Sequence, residues 1–231
     1  MKLKMQKRSY AQWCAVARSL DIVGERWTLL IVRDLLLGAK RYGDLLAGLP
    51  GIGTNLLAQR LRELEDHGLV ERAALPAPAS ANVYRLTEKG RALESVIFSL
   101  GRWGFEFLGK PRQTDAMLPE PFFVSLRASF RPERAAGLRE RYAFHVDDRL
   151  FEVAIADGTI AIREGSASDA DATVTTDAKT LFALRRRELT PRQAMASGAL
   201  RVDGDAKAFE RFVDATAWPK EMLAALERRA R

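Results

Sequence analysis

Apolar residues recur at helical spacing through the first hundred positions of this chain and at mixed spacings after them. Residues 39–68 read as a helix, a Gly-rich turn and a second helix. Wound at 3.6 residues per turn, the second helix gathers Leu56, Leu57, Leu61 and Leu64 on one side and leaves Asn55, Gln59 and Arg62 together on the other. Thr54 stands where a side-chain oxygen can cap the free amides of the first turn, and Gly68 stands where a helix often stops. Two apolar patterns come earlier. One, around Cys14, Val16, Leu20 and Ile22, ends near Gly24; the other, residues 27–37, is almost continuously apolar and is expected to be buried on most sides. After the helix pair, residues 69–72 and 83–86 read as two strands joined through a turn-rich tip at 73–82. Helix, turn, helix, hairpin is the order of a winged helix. Thr87 can cap a further helix, broken or bent at Gly90, whose Leu93, Ile97, Leu100 and Phe107 form a side wide enough to pair with a second subunit.

The pattern changes after a stretch with three prolines and little periodicity at 109–121. Residues 122–130 alternate, with Phe122, Val124, Leu126, Ala128 and Phe130 on one face, which predicts a half-buried strand. Strands are also expected at 150–155 and 159–163, joined through Asp157-Gly158, a dipeptide suited to tight hairpin turns. A further strand follows at 172–176. Asp177 can cap a helix containing Leu181, Phe182 and Leu184, Thr190-Pro191 opens another, and Gly198 closes it. A strand at 200–202 and a last amphipathic helix, capped by Asp205 and carrying Phe209, Phe212 and Val213, complete the pattern. The expected organisation is a winged helix-turn-helix domain at 1–110, a linker at 111–121, and an α+β domain of mostly antiparallel strands with helices on one side at 122–231.

Charge gives the first half a direction. Of the formal +7 on 231 residues, residues 1–115 hold +6 (18 Lys and Arg against 12 Asp and Glu) and residues 116–231 hold +1 (19 against 18). A basic first half suits a polyanionic partner. Asn and Gln can pair bidentately with adenine and Arg with guanine, so the Asn55, Gln59 and Arg62 face suits base edges in a major groove. The alternative for that face is an ordinary solvated helix surface. No apolar run is long enough to cross a bilayer, and residues 1–12 are basic and polar without an apolar signal core, so a cytoplasmic protein without a membrane partner is expected. A lone cysteine, Cys14, allows no disulfide within the chain.

Catalytic and metal chemistry has no visible seat. His67 and His145 are far apart and lack Cys or carboxylates at ligand spacing. Gly51-x-Gly53 has Leu56 in the sixth position and no preceding strand, so it is turn chemistry. There is no Gly-x-Ser-x-Gly elbow and no P-loop. Asp147-Asp148 and Asp203-x-Asp205 read as turn and cap residues. No cofactor and no catalytic residue are expected.

Two resemblances sharpen this reading. Cys14-Ala15-Val16-Ala17, Leu20-Asp21-Ile22-Val23-Gly24, Arg26-Trp27-Thr28, Arg41-Tyr42-Gly43-Asp44-Leu45, Leu49-Pro50-Gly51-Ile52, Thr54-Asn55-Leu56-Leu57, Gly68-Leu69-Val70, Tyr84-x-Leu86-Thr87-x-x-Gly90 and Gly101-x-Trp103-Gly104 resemble the HxlR-type, MarR-like family of bacterial regulators. The resemblance implies a homodimeric winged helix-turn-helix protein that binds a double-stranded DNA operator and controls transcription, with repression as the expected sense. On that reading Asn55, Gln59 and Arg62 read bases, and Thr54 holds a phosphate with the helix N-terminal amides. Lys40 and Arg41 contact backbone phosphate, and Arg60 makes either a phosphate contact or an internal ion pair. Cys14 is either a sensor of oxidants, as the resemblance implies, or a small apolar residue of the first helix. Two positions depart from the family pattern. Cys14-Ala15 stands where Cys-Pro is common, and no Lys or Arg lies between Arg72 and Arg85, which shifts discrimination from the wing to the recognition helix.

Further along, residues 171–177, Leu181, Pro191-x-x-Ala194, Gly198, Leu200-x-Val202 and Gly204-Asp205 resemble sterol-carrier-protein domains of the second type. That likeness implies a sheet and helices around an apolar tunnel holding lipid-like molecules. Phe182, Met195, Phe209, Phe212 and Trp218 are either its lining, open to an apolar small-molecule effector, or plain core. The rival reading of the whole chain is a lipid or apolar small-molecule carrier whose first domain mainly dimerises.

Overall fold

A computed structural model of the chain describes residues 9–74, 81–109, 111–218 and 223–224. The chain divides into two compact units, Met1–Glu94 and Ser95–Arg231.

The first unit holds α1 (Ala15–Val23), α2 (Thr28–Leu35), α3 (Tyr42–Gly48), α4 (Thr54–Asp66), β1 (Val70–Ala74), β2 (Asn82–Leu86) and α5 (Glu88–Arg91). Its core is aliphatic. Ile31, Val32 and Leu35 from α2, Leu45 from α3, and Leu57, Leu61 and Leu64 from α4 are buried together with Val70, Val83 and Leu86 of the hairpin. β1 and β2 pair antiparallel from Val70 opposite Leu86 to Ala74 opposite Asn82. Lys40 adds a one-residue bridge to this ribbon: its N–H donates to the Tyr84 carbonyl (3.0 Å) and its carbonyl accepts from Tyr84 N–H (2.8 Å). The hairpin tip at 75–80 lies outside the described residues. Thr87 caps α5 by accepting from Gly90 N–H at 3.1 Å. Gly90 is required for close approach rather than as a bend, because a Cβ there would stand 2.0 Å from the Leu69 carbonyl oxygen. The helix breaks just after it, and α6 (Glu94–Gly104) follows, with none of its residues buried.

In the second unit, α7 (Pro119–Ser129) precedes a five-stranded sheet made of β3 (Arg139–Val146), β4 (Arg149–Ala156), β5 (Thr159–Glu164), β6 (Ala172–Thr176) and β7 (Leu200–Gly204). The strand order is β5-β4-β3-β6-β7, with β3 and β6 parallel and the other pairs antiparallel. The predicted Asp157-Gly158 turn is present, with positive φ at both residues (52° and 70°) and Ala156 opposite Thr159. Helices α8 (Ala178–Arg185), α9 (Pro191–Ala196) and α10 (Ala206–Thr216) begin at the expected caps: Asp177, Thr190 and Asp205 each accept a first-turn amide.

One predicted element is of the wrong type. Residues 122–130 do not form a strand; they lie in or directly after α7, which starts inside the stretch expected to be linker. Pro119 occupies the first turn, where its fixed φ suits a helix and its missing N–H costs nothing. Phe122, Phe123 and Leu126, at i, i+1 and i+4, are all buried, so the alternation that suggested a strand is overridden by Phe123, which is fully buried. Its ring stacks on Phe151 (centroids 4.0 Å apart) and meets Phe144 edge-on (5.3 Å). Tyr142 and Phe144 of β3 receive Phe212 of α10, each at 5.0 Å. The centre of this unit is therefore aromatic where the first is aliphatic.

Candidate nucleic-acid interface

Helix α4 turns Leu57, Leu61 and Leu64 inward and keeps Asn55 and Arg62 exposed, with Gln59 half-buried beside them. Among the described residues no side-chain hydrogen bond occupies Asn55 or Arg62. Gln59 Nε2 donates to Glu63 Oε1 (3.0 Å), which holds the amide along the helix. The N-cap of α4 is Gly53, with no side-chain cap, and Thr54 is the first helical residue. Thr54 is thus one position too far along to cap the helix, and the first-turn amides lack a side-chain acceptor. The Tyr42 hydroxyl donates to the Thr54 carbonyl at 2.6 Å and so fastens α3 to the start of α4.

Arg60 makes the internal ion pairs. Its side chain is 10% exposed and donates to Glu25 Oε2 (2.8 Å) and Glu63 Oε2 (2.5 Å). Its Nε points to the Arg26 carbonyl at 3.4 Å, which binds α4 to the turn between α1 and α2. Lys40 is 2% exposed and paired through its backbone with Tyr84, so it does not stand on the surface as a phosphate contact. Arg41 is exposed at the start of α3, where its backbone N–H donates to Asp44 Oδ2 (3.1 Å). On the hairpin, Arg72 makes a two-pronged pair with Glu65 (2.8 and 3.2 Å) and lies over the Tyr84 ring, while Arg85 pairs with Glu71 at 2.7 Å. Arg26, which was not among the sequence-based contact candidates, is exposed and stands 5.1 Å over the Trp27 ring. Cys14 is exposed at the N-cap of α1.

The five candidate pocket residues of the second unit separate. Phe209 and Phe212 line a cleft with Phe122, Leu181, Leu184 and Arg185, whose empty space including its open mouth is about 230 Å³. Phe182 and Met195 are half-buried outside that lining; Phe182 packs edge-on against Phe122 at 5.4 Å. Trp218 is buried against Phe105 (4.9 Å) and against the Arg185 guanidinium (5.1 Å). The expected tunnel is here a cleft that encloses only about 10 Å³, far below the ~300–1,000 Å³ of common small-molecule sites. Among the described residues no helix is long and apolar enough to cross a membrane, and no group of three or more His, Cys, Asp or Glu is placed to hold a metal ion.

Four short helices, the longer α4 with its exposed face, and a two-stranded ribbon define the first unit as a winged helix-turn-helix. Residues 22–112 match the HxlR-like helix-turn-helix family, and residues 125–216 match the SCP-2 sterol transfer family. An uncharacterized HTH-type transcriptional regulator of Mycobacterium tuberculosis is 44% identical over 97 residues, 42% of this chain and 61% of that protein's length. The HTH-type transcriptional regulator YodB of Bacillus subtilis is 38% identical over 89 residues, 38% of this chain and 80% of that protein. The solved structure of reduced YodB matches with a TM-score of 0.37 at 37% identity, over 42% of this chain and 96% of that one. The chain belongs to the HxlR-like helix-turn-helix family.

Proposed function

We propose that the protein is a DNA-binding transcriptional regulator, not an enzyme, that works in the cytoplasm as a homodimer and acts in the sense of repression. The observation that carries this reading is the row formed on α4 of a winged helix-turn-helix by the exposed Asn55 and Arg62 with the half-buried Gln59 between them. Two such helices, placed about 34 Å apart by a two-fold axis, would enter successive major grooves of an imperfect palindrome. Asn55, Gln59 and Arg62 then meet base edges, and the uncapped amides at Thr54 meet a phosphate. Arg41 supports the adjacent backbone. Arg60 and Lys40 have other duties, in the ion-pair cluster and the hairpin bridge.

Dimerisation is supported by apolar side chains that stand exposed among the described residues. Helix α6 exposes Val96, Leu100 and Trp103, and the first helix region exposes Trp13, Val16 and Leu20. Solvated apolar faces of this kind favour association. The second unit is read as an effector module fused to the reader. The small cleft speaks against the rival carrier function, because a carrier must enclose most of its cargo. Cys14, exposed and the lone thiol, is the group through which an oxidant would act on the dimer.

The test is a mobility shift on DNA from upstream of the protein's own coding region. Gln59→Ala and Arg62→Ala are each expected to weaken specific binding by about 1–3 kcal/mol while nonspecific binding changes less. Equal specific affinity for wild type and both variants would discard the assigned face.

A further inference from the structure

Gln59 lies on α4 between Asn55, one turn before it, and Glu63, one turn after it, and its Nε2 donates to Glu63 Oε1 at 3.0 Å. A carboxylate oxygen accepts hydrogen bonds and cannot donate them, so the end of the planar amide that faces Glu63 must be the NH2. Oε1 of Gln59 is thereby turned away from Glu63, and among the described residues it accepts no hydrogen bond. Glu63 is itself held in place. Its Oε2 accepts from Arg60 Nη1 at 2.5 Å. The same guanidinium donates through Nη2 to Glu25 Oε2 (2.8 Å) and points Nε at the Arg26 carbonyl (3.4 Å), both in the turn between α1 and α2. Arg60 carries only donors, so it claims one acceptor oxygen of residue 63 and leaves the other to Gln59. Glu25, Arg60 and Glu63 thus form a relay from the body of the first unit to the amide of one side chain in the row on α4.

That orientation matters for which base the side chain can meet. In the major groove adenine and cytosine present an exocyclic amine, whereas guanine and thymine present a carbonyl oxygen at the corresponding place. An acceptor turned outward matches the amine and opposes the carbonyl. Adenine gains a second bond, because the remaining N–H of Nε2 can donate to its N7. A glutamine without a fixed neighbour can turn its amide over and suit either kind of base; one that faces a carboxylate held by a nearly buried arginine cannot do so without losing a charge-assisted hydrogen bond. We propose that Glu63 is a positioning residue that sets the base preference of Gln59, locking its amide so that it selects adenine, then cytosine, over guanine and thymine. The proposal rests on the reading of α4 as the base-reading helix, and it adds which bases one of its side chains selects and what enforces the choice.

The test is binding of the full-length protein to its upstream palindrome with each half-site position changed symmetrically to all four bases, followed by fluorescence anisotropy. The position whose preference Gln59→Ala flattens is the one that residue 59 reads. There the wild type is expected to favour adenine, then cytosine, and to bind the guanine and thymine versions about tenfold more weakly. Glu63→Ala frees the amide to turn and should narrow that range to about threefold or less, whereas a damaged fold would weaken all versions alike. Glu63→Gln should go further. Arg60 still claims the carbonyl oxygen of the new amide, whose NH2 then faces Gln59 and turns the Gln59 amide over, so the preference moves to guanine and thymine. In a Gln59→Ala background, Glu63→Ala should change nothing more at that position. A wild-type preference for guanine or thymine there, or the wild-type ranking kept by either Glu63 variant, would overturn the role of Glu63 and leave base reading by α4 standing. No position flattened by Gln59→Ala would overturn base reading by Gln59 itself, and the proposal with it. If Glu63→Ala does not fold, Glu63→Gln, which still gives Arg60 an acceptor, decides alone.

Discussion

Arg60 and Arg62 sit two positions apart on α4 and separate stability from recognition. Arg60 holds Glu25 and Glu63 and is nearly buried, so Arg60→Ala is expected to destabilise the first unit by about 1–3 kcal/mol in thermal or denaturant unfolding. Arg62 is exposed and touches no partner among the described residues, so Arg62→Ala should leave the melting temperature within error and change only DNA binding. The opposite pattern would exchange their roles. The Arg60 alternative was legible in the sequence because residue 60 falls three after Leu57, at the edge of the apolar stripe. The burial of Lys40 was not legible, since it depends on pairing with Tyr84, far along the chain. Arg185 left one local trace. It stands at i+7 from Ala178 and i+4 from Leu181, on the buried side of α8, where an arginine breaks the apolar pattern.

At the scale of elements, the reading succeeded at most turns and caps, with Thr54, which lies one position inside α4, the exception. Thr87, Asp177, Thr190 and Asp205 all cap as expected, and Asp157-Gly158 turns the hairpin. It failed at α7, where alternating apolar residues coexist with a helical set and the prolines at 119 and 121 decide for a helix start. Strand β3 was passed over because Arg139, Glu140 and Arg141 hide the alternation of Tyr142, Phe144 and Val146. The two assignments of residues 119–129 differ in a measurable way. As a strand, Phe123 would face solvent and its loss would matter little; buried in α7 against Phe151, Phe123→Ala should cost about 3–5 kcal/mol in unfolding free energy. A loss under about 0.5 kcal/mol, typical of surface changes, would contradict the packing of α7.

For the whole molecule, the proposed regulator needs two copies, and the exposed row on α6 is the place to break them. Leu100→Glu or Trp103→Glu is expected to give a monomer by light scattering and, with only one half-site engaged, to lose most operator affinity. A dimer of undiminished affinity would move the interface elsewhere. Cys14→Ser should abolish any oxidant-dependent release of DNA; unchanged release would remove Cys14 from the account. The order of elements in the first unit and the α+β character of the second were legible in the sequence because each rests on periodicity and punctuation. The size of the cleft was not, because volume depends on how Phe122 of α7 meets Phe209 and Phe212 of α10.

The central claim is that α4 reads sequence, and operator binding by fluorescence anisotropy at two salt concentrations tests it most directly. The account predicts that wild type prefers its upstream palindrome over scrambled DNA by about 10³-fold or more. It also predicts that Arg62→Ala and Gln59→Ala shrink this preference while both DNAs still weaken steeply with salt. Equal affinity for palindrome and scrambled DNA, or a preference untouched by both substitutions, would contradict it.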